Sequence, residues 1–349
     1  MTLGHEPQLG PDPNFCSRVR AIMAASVMKP RRSTRRQFIA GGLAAAVCGG
    51  VATDAIIDIH CHSPIPAFHT EKWIVEHQRH HGVRVSMLLP INSAAGIEEI
   101  PNMARWLLPK FALGQGSAMT LAAKYPGEFR FFTTADARDR DSSKYLEKHL
   151  RAGAVGIGEV KLPLDCDSPL MSRIYDVARS WGVPVLIHFQ HGLFATGIER
   201  FHRVAARYPS VTFIGHAQTW WGNIGRLHRQ ETMYPEGRIA AGGITDRLLA
   251  DFPNIYADLS AYSGFHAIAR NRDDGRQLLA RHQNKLLLGS DCQHGGLEGP
   301  SCWGGRTLQL IRMLAPSADV VRKIVHDNAL RIWKETRSNQ HELRRGETA

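Results

Sequence analysis

The sequence predicts an α/β protein built as one closed parallel barrel, and three observations predict it. From Ala55 onward, eight short apolar or β-branched runs alternate with stretches of helical length. The joints from helix back to strand are short and turn-like, whereas two joints leaving strands are long. The polar residues that carry chemistry fall at the carboxyl ends of the strands, the face on which barrel enzymes build their sites. Together these describe a (β/α)8, or TIM, barrel over residues 53–335, a single catalytic domain with long loops after its second and sixth strands.

The first strand is Ala55–His62, and an amphipathic stretch, Thr70–His80, follows it. Val83–Leu89 forms the second strand and Phe129–Thr134 the third. Ser142–Arg151 then reads as a helix, Ala154–Leu162 as the fourth strand and Leu170–Trp181 as a helix. Trp181-Gly182-Val183 turns into the fifth strand, Val183–Phe189, and Gly197–Tyr208 is the next helix. Tyr208-Pro209-Ser210-Val211 leads into the sixth strand, Val211–His216. After the helix Ile244–Phe252, Pro253-Asn254 turns into the seventh strand, Ile255–Ser260, and His266–His282 is a long helix before the eighth strand, Lys285–Asp291. The long segments Pro90–Tyr125 and Ala217–Ile244 leave carboxyl ends of strands, so they are expected to set substrate choice. The tail, residues 336–349, is polar.

With 43% hydrophobic residues the chain is neither disordered nor fibrous. The net charge of +11 suggests nucleic acid only until it is divided: residues 1–52 hold seven Lys or Arg and two acids, which leaves a dispersed +6 on the rest. No nucleic-acid partner is expected. Seventeen of the 18 His follow residue 52, a density that directs attention to metal chemistry. The apolar run Phe38–Ala52 is too short for a membrane span of ~20 residues. It follows Arg35-Arg36 and resembles a twin-arginine export signal, with cleavage after Ala52 and a periplasmic or extracytoplasmic destination. The alternative is a Gly/Ala-rich helix that happens to follow arginines. Met28 opens a compact signal of its own, so residues 1–27 are either leader or an upstream mis-start. Val47 before Cys48 departs from a lipoprotein box. The six Cys show no Cys-x-x-Cys pair and define neither a zinc ribbon nor a disulfide framework.

Strand periodicity puts Asp58, His60 and His62 on one face of the first strand and Ile57, Ile59 and Cys61 on the other. Two imidazoles at such spacing can reach one ion in a barrel mouth. Glu159 near the end of the fourth strand, His188 of the fifth, His216 of the sixth and Asp291 of the eighth add potential ligands at the same rim. Asp58 is read as a buried carboxylate beneath the site. His80-His81 beside Gly82 reads as a solvated last helical turn. Trp220-Trp221 either walls a substrate pocket or packs the sixth loop onto the barrel. No role follows for His191, Cys292 or His294.

The stretches Ile57-Asp58-Ile59-His60-Cys61-His62, Val185–His188, Phe213–His216, Asn254–Ser260, Leu288–Asp291 and Val325–Ala329 resemble, in order, the amidohydrolase superfamily. They are most similar to the branch that includes amino-carboxymuconate-semialdehyde decarboxylase. The resemblance implies that His60, His62 and Asp291 bind a divalent metal with His188 completing or supporting the centre. The ion would be zinc, or manganese or iron in some members, and one or two in number. It implies that His216 is a second-metal ligand or polarises the substrate. Asp291 would be the base, taking a proton from a water whose pKa the ion lowers from 15.7 toward ~7. Glu159 is a bridging ligand if the resemblance extends to TatD-type nucleases. Lys161 on the same strand would be a carbamate in other branches, or the two form a buried ion pair.

The leading functional expectation is a hydrolase cleaving a C–N or C–O bond of a small molecule with metal-activated water. The rival is a non-oxidative decarboxylase of a small unsaturated or aromatic acid. A TatD-type phosphodiesterase and a non-catalytic metal-binding barrel stand behind them. The sequence leaves homo-oligomerisation open.

Overall fold

In the computed structural model the described residues are 55–64, 70–91, 114–292, 302–334 and 336. The export-signal reading of Arg35-Arg36, most of the long second loop, His294 and residues 337–349 of the polar tail lie outside them. Among the described residues eight strands follow one another in the expected order. β1 (Ile56–His62) is followed by α1 (Glu71–His80), β2 (Val83–Leu89), α2 (Gln115–Lys124), β3 (Phe129–Phe131) and α3 (Ser142–Arg151). Then come β4 (Ile157–Val160), α4 (Pro169–Trp181), β5 (Val185–His188), α5 (Phe201–Arg207) and β6 (Phe213–His216). α6 (Ala217–Gly222), α7 (Ile244–Asp251), β7 (Ile255–Asp258), α8 (Ala261–Ala269), α9 (Arg272–Arg281), β8 (Leu286–Leu287), α10 (Trp303–Leu314) and α11 (Ala318–Arg322) follow, with a π-helical turn, Lys323–Asp327, after α11.

Every neighbouring pair of strands is parallel, in the runs β1-β2-β3 and β4-β5-β6-β7-β8. The runs join where Thr133 bridges Ile157 and the Val155 amide donates to Phe131 O at 2.9 Å. The circle closes between β8 and β1: the Ile59 amide donates to Leu288 O at 3.0 Å and the Asp291 amide to His60 O at 2.7 Å. A closed parallel barrel leaves no edge strand, and its parallel strands are buried on both faces, which is why they read as near-continuous apolar runs. Ile57, Met87, Phe132, Leu186, Ile214 and Leu287, from six different strand regions, pack as one cluster.

Two helices differ from expectation. Gly197–Tyr208 opens with a 3-10 turn, Ile198–Arg200, before α5. The predicted helix His266–His282 is broken, because Asn271 leaves the helical conformation and its side chain accepts the Asp274 amide as the cap of α9. β3 and β8 are shorter than the runs that predicted them, and beyond β3 the chain keeps a single bridge, Thr133 to Ile157. The first helix is as read: Thr70 caps it by accepting the Trp73 amide at 3.1 Å.

Candidate metal centre

Four histidines and three carboxylates converge at the carboxyl ends of β1, β4, β5, β6, β7 and β8. β1 delivers His60 and His62, although its pairing with β2 shifts between Asp58 and Cys61, so plain alternation does not run unbroken to its end. Asp58 lies under the shift, buried, and accepts the His60 amide at 3.0 Å and the Ser290 amide at 2.9 Å. It shapes the backbone instead of facing the site, as read from the sequence. β5 and β6 pair with His188 opposite His216, which sets those rings side by side.

The imidazoles are held by their Nδ1 atoms. His60 donates from Nδ1 to Asp258 Oδ2 at 2.7 Å, and His62 from Nδ1 to Leu89 O at 3.3 Å. Ser260 Oγ donates to Asp258 Oδ2 at 2.6 Å and so accepts from His216 Nδ1 at 3.0 Å. Nε2 of each of these three rings therefore turns inward. His62 Nε2 lies 3.2 Å from Asp291 Oδ1, and His60 Nε2 3.8 Å from the same oxygen. His216 Nε2 lies 3.7 Å from Asp291 Oδ2 and 3.8 Å from Glu159 Oε1. His188 is arranged differently: its Nδ1 donates to Glu159 Oε1 at 2.5 Å, and its Nε2 is 3.1 Å from Gln190 Oε1.

Asp258 is the residue that sequence reasoning missed. It stood within the seventh-strand motif with no role, yet its carboxylate orients both His60 and His216. The available signal was an acid followed two residues later by Ser260 at a strand end. Backbone room for this acid comes from Gly289, where a Cβ would lie 2.3 Å from Asp258 Oδ1 and 2.8 Å from His60 Cβ. Asp291 is also specially placed. With φ of 44° it occupies the left-handed region, which Asp tolerates better than most residues, and its side chain forms part of the pocket wall.

The site calls for positive charge. Burial by itself would discharge His60, but the Asp291 and Asp258 carboxylates overcome it and hold the imidazole up at about 10. Burial would likewise favour neutral Asp291 and Glu159, yet His60 and His62 hold Asp291 ionised, and His188 does the same for Glu159. Burial lowers His188 to about 4, so that ring is neutral. The buried carboxylates draw a proton onto His60, and a cation seated among them would balance the same charge in its place.

The donor set fits a divalent metal. His60 Nε2 is buried with no hydrogen-bond partner, aimed at the carboxylates. Ligand atoms of His60, His62 and Glu159 lie within 4.8 Å of one another, as do those of Glu159, His188 and His216. Thus Glu159 faces the centre. Lys161 does not share it: its ammonium rests over the Phe194 ring at 5.0 Å, and Glu159 pairs with His188.

Beside the centre opens a pocket of about 570 Å³, its solvent-facing part included, to which His188, His216 and Asp291 contribute one side. Tyr234, Tyr262 and Trp303 form an aromatic wall, Tyr262 lying 4.7 Å from Tyr234 and 4.8 Å from Trp303 between ring centroids. The long sixth loop supplies Gln218 and Tyr234. Trp220 and Trp221 do not line it. Trp220 is buried against Phe189 and Phe201, and Trp221 donates to Asp258 O at 2.8 Å, so both pack the loop onto the barrel. Trp220→Ala is expected to cost about 3–5 kcal/mol in chemical denaturation, with the folded protein keeping its metal. Unchanged stability would contradict this packing role.

A family model described as Amidohydrolase matches residues 57–334. No curated protein matches the chain. Among solved structures, a TIM-barrel protein from Bordetella bronchiseptica is similar with a TM-score of 0.58 at 16% identity, covering 81% of this chain and 99% of that one. An amidohydrolase from Burkholderia multivorans has a TM-score of 0.52 at 13% identity, covering 80% of this chain and 99% of that one.

Proposed function

Because the chain belongs to the amidohydrolase family, an enzyme family, we propose that it is a metal-dependent hydrolase that cleaves a C–N or C–O bond of a small molecule. The observation that carries the reading is the placement of Asp291. Its ionised carboxylate lies among the inward Nε2 atoms of His60, His62 and His216 and also forms part of the pocket wall. One group can thus serve both ion and substrate.

His60, His62 and Asp291 would hold the ion, with Glu159 beside His62, and imidazole with carboxylate suits zinc. When bound, the ion supplies Lewis-acid polarisation and makes water a nucleophile near neutral pH. Asp291 is the base: ionised and backed by buried imidazoles, it takes a proton from the attacking water at a carboxylate oxygen and returns it to the leaving atom. His216 is fixed through Nδ1 by Ser260 and Asp258, so its Nε2 faces the substrate side and can polarise the scissile group. The aromatic wall of Tyr234, Tyr262 and Trp303 suits a flat or unsaturated substrate body.

Turnover of a panel of small lactones, esters and amides in oxygen-18 water tests the reaction. Solvent oxygen is expected in the product. Turnover confined to unsaturated carboxylic acids, releasing carbon dioxide without incorporating solvent oxygen, would replace this reading with a decarboxylase.

The number of ions turns on Glu159. It belongs to both ligand groupings, and the two oxygens of Asp291 face His62 and His216 separately, an arrangement suited to two neighbouring ions. Glu159→Gln is expected to lower the metal-to-protein ratio by about one without unfolding the chain. An unchanged ratio would show that Glu159 bridges no pair of ions.

A further inference from the structure

We infer that His77, His81, Cys292 and Cys302 form a second metal site, tetrahedral and structural, for a zinc-class ion. It lies outside the catalytic centre and ties the first helix to the segment that carries Asp291. Cys302 Sγ lies 3.3 Å from His77 Nε2, 3.3 Å from His81 Nε2 and 3.8 Å from Cys292 Sγ. The ligand atoms of His77, Cys292 and Cys302 all fall within 4.8 Å of one another, and these three residues are buried.

The distances suit an ion. With Zn–S at about 2.3 Å and Zn–N at about 2.0–2.1 Å, a tetrahedron has an S–S edge of about 3.8 Å and S–N edges of about 3.6 Å. The three contacts made by Cys302 lie within a few tenths of an ångström of those edges, and His81, which touches Cys302 but stands outside the mutual grouping of the other three, would close in as the fourth ligand. A disulfide would instead bring the sulfurs to about 2.05 Å. The chemistry is also complete: two thiolates and two imidazoles are a standard structural zinc set, and soft sulfur selects zinc over magnesium or calcium.

The surroundings are built for the cluster. His77 and His81 are four residues apart at the end of α1, so they share one helical face, and Trp73 stacks on His77 at 4.8 Å between centroids. Cys302 caps the twelve-residue α10, and the Gly304 amide donates to Cys292 Sγ at 3.2 Å, so a helix N-terminus faces the sulfurs and favours thiolate. A Cβ at Gly304 would lie 3.2 Å from Cys292 Sγ, and one at Gly305 would lie 2.5 Å from His81 Cε1 and 3.1 Å from Cys302 Sγ. Two successive glycines let the helix start close over the four ligands. His81, expected from the sequence to be solvated, is instead packed against Cys302. On binding, the thiols lose their protons to solvent, and the ion joins β8, through Cys292 beside Asp291, to α1 and α10.

Cobalt(II) chloride added to the chelator-treated, reduced full-length protein tests the proposal. The catalytic cluster contains no sulfur ligand, so a sulfur-to-cobalt charge-transfer absorption reports this site alone. The absorption is expected in the parent and in a His60→Ala, His62→Ala variant, and is expected to be lost in Cys302→Ser. Alkylation with iodoacetamide gives a readout that needs no variant: cobalt is expected to protect Cys292 and Cys302 of the parent protein. Absence of the absorption from the reduced parent would overturn the site, as would its persistence in Cys302→Ser or alkylation of both thiols unaffected by cobalt.

Discussion

Asp291→Asn is expected to lower turnover on the order of 100-fold or more while metal content stays near that of the parent. The amide keeps an oxygen able to coordinate, and Asn, like Asp, tolerates the left-handed backbone at this position, φ 44°. What it loses is the capacity to take a proton. That function rests on a carboxylate whose ionised form is stabilised, against the cost of burial, by His60 and His62. Steady-state kinetics on any hydrolysed substrate, with elemental analysis of the same preparation, separates the two effects. Turnover within a few-fold of the parent would remove Asp291 as the base.

Asp258→Asn is expected to weaken metal binding about 10–100-fold, although Asp258 holds the ion only through other residues. Its carboxylate accepts from His60 Nδ1 at 2.7 Å and from Ser260 Oγ at 2.6 Å, and through these bonds it fixes the Nε2 direction of His60 and His216. A neutral amide accepts at only one atom, so the Oδ2 bonds cannot all survive alongside the Ser260 amide bond to Oδ1 at 2.9 Å. Competition against a chelator of known affinity reads the loss directly, and a structural role unconnected with the metal would leave that affinity unchanged while lowering stability.

The barrel was legible because each strand is a short apolar run between turn residues, a local signal that survives in one dimension. The carboxyl-end rule then placed His60, His62, Glu159, His188, His216 and Asp291 at one rim. What was not legible depends on distant contacts. Asp258 acquires its role only from rings that are 198 and 42 positions away in the sequence, and Trp220 proves to be packing only once Phe189 and Phe201 lie against it. The four ligands of the second site share the same difficulty. Their spacing matches no compact zinc motif, because α1 and the start of α10 meet only when β8 closes on β1. The break at Asn271 was hidden for a different reason: helical stretches lie on both sides of it, and a single capping side chain decides the boundary.

The claim on which the account rests is the metal centre in the barrel mouth, and elemental analysis of the purified full-length protein beside its His60→Ala, His62→Ala variant tests it most directly. The parent is expected to carry tightly bound divalent metal, and the variant to have lost at least one full equivalent and all turnover while retaining the cobalt–thiolate absorption of the second site. Equal metal content in the two proteins, or full activity in a parent stripped of metal, would contradict it.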